Sequence, residues 1–358
     1  MADHPPIKVL IVDDAAMIRR ILSLGLGKDP GIEIMGTAAS PEMAARMLQT
    51  KRPDVITLDI EMPGMDGVSF LKTYMPDRAI PTVVISSVTR RSAQVTVEAL
   101  EAGAVDVISK PVVGSDTGLA DMMVEIRRRV KAAAMARLRK LGEHVNHLPP
   151  SAETTSAKFN RDWVIAIGSS TGGVQALARI LPDFPITSPP IVVTQHMPQG
   201  FTGSFARRLD DSCTVSVREA RDGDELTPGV AYIAPGGDKH MTVVKHGRSY
   251  FISMVDGDPV CFSRPSVDVL FKSVAKATNG NCSAAVLTGM GRDGAQGLLE
   301  IRASGGRCVA QDETSSVVFG MPLAAWEAGA AEQLVPLDEI PVCLLDSVGA
   351  RGKTAPAR

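Results

Sequence analysis

Three hydroxyl side chains stand in a row at residues 169–171, inside the stretch WVIAIGSSTGGVQALARI that runs from Trp163 to Ile180. An apolar, β-branched run meets Gly168, then Ser169, Ser170 and Thr171, then Gly172 and Gly173, and a helix-spaced segment follows at once. Gly168-Ser169-Ser170-Thr171-Gly172 satisfies G-x-S-x-G between a strand and a helix. Such a turn lifts a serine hydroxyl above a sheet edge, and amides at the start of the next helix can stabilise a developing oxyanion. A phosphate loop is the rival reading of a glycine-rich turn. A Walker A motif needs Gly-Lys-Ser/Thr, and this turn has no lysine. A dinucleotide site wants an acid at the end of the next strand, where PPIVVTQH ends in Gln195 and His196.

That same position favours hydrolysis. Serine and histidine at the ends of adjacent parallel strands can meet across the sheet edge, and histidine accepts a proton near neutral pH. Asp293, in SAAVLTGMGRDGAQG, lies in a glycine-rich turn before a helix and is the candidate orienting carboxylate. The implied order is Ser170, His196, Asp293, and triads recur in several chain orders. Each residue alone has an ordinary reading, a core histidine or an Asx turn. His240 in APGGDKHM is the competing base, placed by its neighbours in an inserted hairpin away from the convergent edge.

A second set of groups lies near the N-terminus. Asp13 and Asp14 end one apolar run, Asp59 another, Ser86 and Ser87 a third, and Lys110 a fourth, just before Pro111. The carboxyl ends of parallel strands share one edge, so these groups converge. Three carboxylates in one cleft repel and need a cation, and oxygen ligands alone suit Mg²⁺. A lysine and a hydroxyl opposite them fit a phosphoryl group on Asp59 that comes and goes. One strand-end Asp is an ordinary loop cap, but six such residues are not.

The elements that must hold these groups follow a βα alternation. IKVLIVDD, IEIMGTA, VITLDIEMP, TVVISSVT and AVDVISKP read as strands with amphipathic segments between them, which predicts a parallel sheet with right-handed crossovers. Strands of a second domain are predicted at VIAIG, PPIVVTQH, TVSVREA, VAYIAP, MTVVKHG, SYFISMV, SAAVLTGM and GGRCVAQD, with helices near 174–181, 201–209, 266–278 and 295–304. The middle four strands read as a hairpin insertion, KHGRS being a turn between alternating runs. The expected fold is α/β, two doubly wound parallel-sheet domains, with 1–128 and 161–348 as the domains, 129–160 as a linker and 349–358 as a tail.

A length of 358 residues fits two domains, and 44% hydrophobic with 22% charged residues describes a soluble globular protein. A net charge of −2 and 4% aromatic residues give no case for nucleic acid. The basic run EIRRRVKAAAMARLRK reads as a solvated helix face leading into the linker. No apolar run is long enough to span a membrane, MADHPPIKVLIVDD reads as no signal peptide, and the cysteines at 213, 261, 282, 308 and 343 form no C-x-x-C. Reduced thiols in a cytoplasmic protein are the expectation.

LIVDD, DIEMPGMDG, ISS and AVDVISKP resemble the receiver domain of two-component response regulators, over about residues 7 to 125. The resemblance implies a flavodoxin-like fold, a phosphoacceptor at Asp59, Mg²⁺ carboxylates at Asp13, Asp14 and Asp59, a switch hydroxyl at Ser86 and the lysine at Lys110. One departure is Val107, where many receivers carry an aromatic switch residue. IGSSTGG, TQHMP, APGGDKHM and LTGMGRDGA behind a receiver resemble the chemotaxis protein-glutamate methylesterase family, the CheB type. That resemblance implies Ser170 as nucleophile, His196 as base, Asp293 as its orienter, the Met290 backbone as oxyanion contributor and Thr171 beside the nucleophile. It also implies demethylation and glutamine deamidation on chemoreceptors, a chemotaxis-type histidine kinase as partner, and no metal in the hydrolytic site. The reading from another class is a response regulator whose C-terminal domain only binds a partner or nucleic acid. No basic recognition stretch favours it.

Overall fold

The computed structural model of the chain describes residues 5–76, 78–87, 89–110, 116–138 and 162–350. Its contacts divide it into two compact units, Met1–Glu143 and His144–Arg358. The first holds β1 (Ile7–Val12), β2 (Ile32–Ala38), β3 (Val55–Leu58), β4 (Thr82–Ser86) and β5 (Asp106–Ser109), all parallel in the order β2-β1-β3-β4-β5. Every residue of β3 and β4 is buried, which is why these strands read as continuous apolar runs. The sequence supplies helix starts where the strands stop: Ser40, Asp66 and Thr89 each accept a bond from the amide three residues on. The strand order reverses between β1 and β3, so a crevice opens beyond their carboxyl ends. Asp13 and Asp59 are the first residues past those ends.

The last helix of this unit runs from Asp116 to Ala134. Of the residues assigned above to the linker, 129–134 thus continue the helix, and Arg129, Val130, Ala132 and Ala133 are buried. Arg129 explains the extension, because its guanidinium bonds Asp106 at the foot of β5 (2.5 Å) and Glu125 one turn back (2.6 Å). The remainder of the expected linker from 139 to 160, and the tail from 351, lie outside the described residues.

The second unit carries a seven-stranded parallel sheet in the order β14-β13-β12-β6-β7-β9-β8. Its strands are β6 (Val164–Ser169), β7 (Ile191–Gln195), β8 (Ser216–Glu219), β9 (Val230–Ile233), β12 (Cys282–Val286), β13 (Arg307–Gln311) and β14 (Gln333–Val335). A separate antiparallel hairpin joins β10 (Lys239–His246) to β11 (Ser249–Asp256). The hairpin insertion is therefore two strands, not four. β8 and β9 belong to the main sheet and pair in parallel with each other. Edge position misled the reading: β8 alternates exposed and buried residues, the signature of an antiparallel ribbon. Chain order reverses between β6 and β12, which puts the switch-point crevice of this sheet directly over the residue after β6. That residue is Ser170.

Candidate active site

Ser170, His196 and Asp293 follow β6, β7 and β12, the three central strands of the sheet. All are nearly enclosed, at 3%, 4% and 2% exposure. Two glycines make the turn possible. Gly172 sits at φ +79° before the helix Gly173–Ile180, and a Cβ on Gly168 would fall 2.2 Å from Val267 Cγ1. A bare Gly168 lets the start of the helix Val267–Thr278 press against β6, and that helix start holds the third residue of the site.

Asp293 accepts four hydrogen bonds. Oδ1 takes the Ser266 hydroxyl (2.8 Å) and the Asp268 amide (2.9 Å). Oδ2 takes the Val267 amide (2.8 Å) and faces His196 Nε2 at 2.8 Å. Burial works against a charge here, but the His196 bond and its charge, the Asp268 amide and the Ser266 hydroxyl outweigh it, and the carboxyl is held below its usual range. Neighbouring Asp268 is pushed up by burial and by the Asp293 charge. Cys261, Asp268 and Asp293 offer ligand atoms within 4.8 Å of one another, yet both Asp293 oxygens are already occupied by donors.

A carboxylate on Nε2 keeps the imidazole proton there and leaves the acceptor lone pair on Nδ1. This is the reverse of the serine-protease arrangement, in which Nε2 faces the nucleophile. Nδ1 lies 3.3 Å from Ser263 Oγ. Ser170 and His196 stand opposite one another, each one residue past the register pair Ser169–Gln195, and the His196 amide donates to the Ser169 carbonyl (3.0 Å). Among the described residues, the Ser170 hydroxyl has no hydrogen-bond partner, His196 included. The structure thus joins His196 to Asp293 and sets Ser170 beside them with its hydroxyl uncommitted. Met290 follows the same switch-point loop, and its amide has no acceptor among the described residues. Thr171 is buried next to Ser170, its carbonyl accepting from Thr288 Oγ1 (3.0 Å).

Several residues escaped the sequence reading. Gln195 Nε2 donates to the carbonyls of Ser170 (2.9 Å) and His196 (3.2 Å), while its Oε1 accepts from Ser169 Oγ (2.6 Å). One buried amide side chain thereby fixes both strand ends. His240 lies on the hairpin as expected, but its ring reaches the site's support. Nδ1 accepts from the Ser266 amide (3.1 Å), and Nε2 faces the Asp258 carbonyl (3.0 Å). It buttresses the residue that holds Asp293.

Asp293→Asn is expected to lower turnover about 10⁴-fold, because the amide cannot hold the Nε2–H tautomer. With donors on both oxygens, either amide orientation sets an NH₂ against an N–H or O–H, costing about 1–3 kcal/mol of stability. The wild-type advantage is present above the ordinary carboxylate range near pH 4 and is lost as pH falls through the lowered folded value. Urea unfolding of both proteins between pH 7 and 3 checks this, and a difference that stayed constant across the range would contradict it.

In the receiver-like unit, Lys110 Nζ lies 2.5 Å from Asp59 Oδ2 and 3.2 Å from Asp13 Oδ2. Asp13, Asp14 and Asp59 bring one carboxylate oxygen each within 4.8 Å of the others. Asp13 Oδ2 is buried and, among the described residues, accepts no hydrogen bond, although the Lys110 ammonium lies 3.2 Å away. Burial pushes the Asp59 carboxyl up, with Asp13's charge adding to it against the pull of Lys110. Burial also opposes the charge on Lys110, but Asp59 and Asp13 outweigh it and keep the ammonium protonated. This donor set fits a divalent cation. Ser86 is fully buried at the end of β4, and its carbonyl accepts the Lys110 amide (2.8 Å). Val107 is buried in β5. A network that the sequence did not announce follows the end of β4: Ser87 and Ser92 hydroxyls each bond a different oxygen of Glu61 at 2.7 Å.

Comparison with known proteins agrees with both halves. A family model described as "CheB methylesterase" matches residues 165–344, and one described as "Response regulator receiver domain" matches 9–120. A "Protein-glutamate methylesterase/protein-glutamine glutaminase 2" of Cereibacter sphaeroides is 53% identical over 96% of this chain and 92% of its own. A protein of Bordetella bronchiseptica named "Protein-glutamate methylesterase/protein-glutamine glutaminase" is 44% identical over 97% and 98%. Among solved structures, the Thermotoga maritima CheB methylesterase catalytic domain matches with a TM-score of 0.50 at 41% identity, covering 51% of this chain and 97% of that one. The chain belongs to the CheB methylesterase family, in the form that carries a response regulator receiver domain ahead of the methylesterase domain.

Proposed function

We propose that the chain is a serine hydrolase that removes methyl groups from glutamate γ-methyl esters on chemoreceptors and deamidates selected receptor glutamines, under the control of phosphorylation at Asp59. The observation that carries the reading is His196 held through Nε2 by a four-donor Asp293, across the strand ends from an uncommitted Ser170 at the sheet's switch point. The names of the relatives supply the substrate class.

Ser170 Oγ attacks the γ-carbonyl as its proton passes to His196 Nδ1, and Asp293 stabilises the imidazolium through Nε2. The Met290 amide receives the oxyanion. The C–O bond to the methoxy group then breaks, Nδ1–H protonates it and methanol leaves. From a glutamine side chain the same collapse expels ammonia. Water hydrolyses the γ-glutamyl ester on Ser170 and restores the enzyme.

The receiver takes a phosphoryl group from a chemotaxis-type histidine kinase onto Asp59. Mg²⁺ held by Asp13, Asp14 and Asp59 would neutralise charge there, while Lys110 pairs the phosphoryl oxygens and Ser86 donates a hydrogen bond. Phosphorylation adds about 1.5 to 2 negative charges beside the loop after β4. With Val107 in place of an aromatic, the Glu61–Ser87–Ser92 network is the polar group at hand to register the change. No helix among the described residues is long and apolar enough to cross a membrane, in keeping with a cytoplasmic enzyme acting on receptor cytoplasmic domains.

The unphosphorylated receiver obstructs the hydrolase in this reading. A protein starting near residue 155 is therefore expected to show higher basal esterase activity than the full chain. Acyl phosphate with Mg²⁺ should activate the full chain about tenfold, which needs only about 1.4 kcal/mol of differential stabilisation. Asp59→Asn should remove that response. Equal basal rates for the short and full chains on a soluble ester would refute obstruction while leaving the hydrolase reading intact.

A further inference from the structure

The segment between β11 and the helix Val267–Thr278 carries a tight turn. The Val260 and Ser263 amides each donate to the other residue's carbonyl, at 3.1 and 2.9 Å. Cys261 and Phe262 between them adopt left-handed φ values of +49° and +64°. The strained pair turns Phe262 outward, 79% exposed, and Ser263 inward, 6% exposed. Ser263 Oγ then lies 3.3 Å from His196 Nδ1, its one hydrogen-bond partner among the described residues.

We propose that Ser263 is a further catalytic residue, specific to the second half of the reaction: its hydroxyl holds the hydrolytic water against His196 Nδ1. This rests on the acyl-enzyme mechanism proposed above. With Nε2 bound to Asp293, Nδ1 is the single ring atom able to accept a proton, and it must serve two donors in turn. The Ser170 hydroxyl is the first. In the acyl-enzyme that oxygen is an ester, so it no longer donates, and a different group must orient the second donor, water. Ser263 Oγ has one donor hydrogen and two lone pairs for that purpose. At 3.3 Å its direct bond to Nδ1 is long for a hydroxyl donor, and a bridging water replaces such a bond at little cost.

The step balances. Water oxygen bonds to the γ-carbonyl carbon as one water proton moves to Nδ1, while the remaining O–H donates to, or accepts from, Ser263 Oγ. The carbon–Oγ bond to Ser170 breaks, Nδ1–H returns the proton to Ser170 Oγ, and a γ-carboxylic acid leaves.

The test uses the full chain and p-nitrophenyl acetate in stopped flow, with intact-mass analysis of quenched enzyme. Ser263→Ala should leave the acylation burst within about twofold of wild type and slow deacylation about 10- to 100-fold, so that acetylated Ser170 accumulates. Ser263→Thr, which keeps the hydroxyl, should restore deacylation. Acylation and deacylation falling together would overturn the proposal in favour of simple ring orientation, and unchanged deacylation would overturn it outright. A wild-type enzyme with neither burst nor turnover, or a Ser170→Ala variant that still forms the acyl-enzyme, would instead remove the hydrolase reading beneath it.

Discussion

Ser170→Ala is expected to abolish methanol release, by about 10⁵- to 10⁶-fold, and to leave the fold and melting temperature nearly unchanged. Loss of a triad nucleophile has an effect of that size because its partners act as a unit with it. Stability should survive because the lost hydroxyl bonds nothing among the described residues, while the residue's backbone remains anchored. Its amide donates to the Thr288 carbonyl at 3.0 Å. Its own carbonyl accepts from the Gly173 amide (2.7 Å) and from Gln195 Nε2 (2.9 Å). A one-atom truncation at a site of 3% exposure leaves a void smaller than a methyl group. Methanol release from a methylated receptor fragment, beside a thermal melt, checks both halves. A variant retaining more than a tenth of wild-type turnover would reassign the nucleophile.

Legibility in the sequence follows a physical division. Asp13, Asp59, Ser86, Lys110, Ser170 and His196 each close a short branched apolar run, and parallel strands deliver such residues to one edge whatever the strand order. Those residues were readable for that reason. Strand order itself is set by which faces pack together at long range, so the switch points beneath Asp59 and Ser170 were not. β8 mimics a hairpin strand because, at the sheet edge, it exposes one face, and the nearly buried β9 beside it carries no pattern that tells a parallel partner from an antiparallel one. The helices Met321–Glu327 and Ile340–Ala350 went unassigned. The second is anchored by Ser283, whose hydroxyl donates to the Leu344 carbonyl 61 residues away (3.0 Å).

The same division runs through the site. Ser263 and Ser266 meet His196 and Asp293 across 67 and 27 residues, and neither serine stands in a motif that announces it. Gln195 was legible as a strand end but not as the clamp between Ser170 and His196. The orientation of the His196 ring was beyond sequence reading altogether. It depends on which side of the ring Asp293 occupies, and that follows from how close the helix Val267–Thr278 comes to Gly168.

His196→Gln and His240→Gln separate catalytic from supporting histidines, and the first should be the larger by at least two orders of magnitude. Gln at 196 offers no group able to accept the Ser170 proton at neutral pH, so a loss near 10⁵-fold is expected. It also leaves Asp293 with a partner that cannot carry the positive charge the carboxylate stabilises. His240 touches no reacting atom. Its Nδ1 accepts from the Ser266 amide, which makes Nε2 the protonated nitrogen that donates to the Asp258 carbonyl. A glutamine there leaves a buried N–H or carbonyl poorly paired, costing about 1–3 kcal/mol of stability. Displacement of Ser266 then reaches Asp293 through the 2.8 Å hydroxyl bond and lowers turnover about tenfold. Esterase assays with unfolding curves for each variant read the two effects apart: His196→Gln should be inactive, and His240→Gln active yet weakened. Comparable losses of turnover would mean that His196 is not the base, whatever its distance to Asp293.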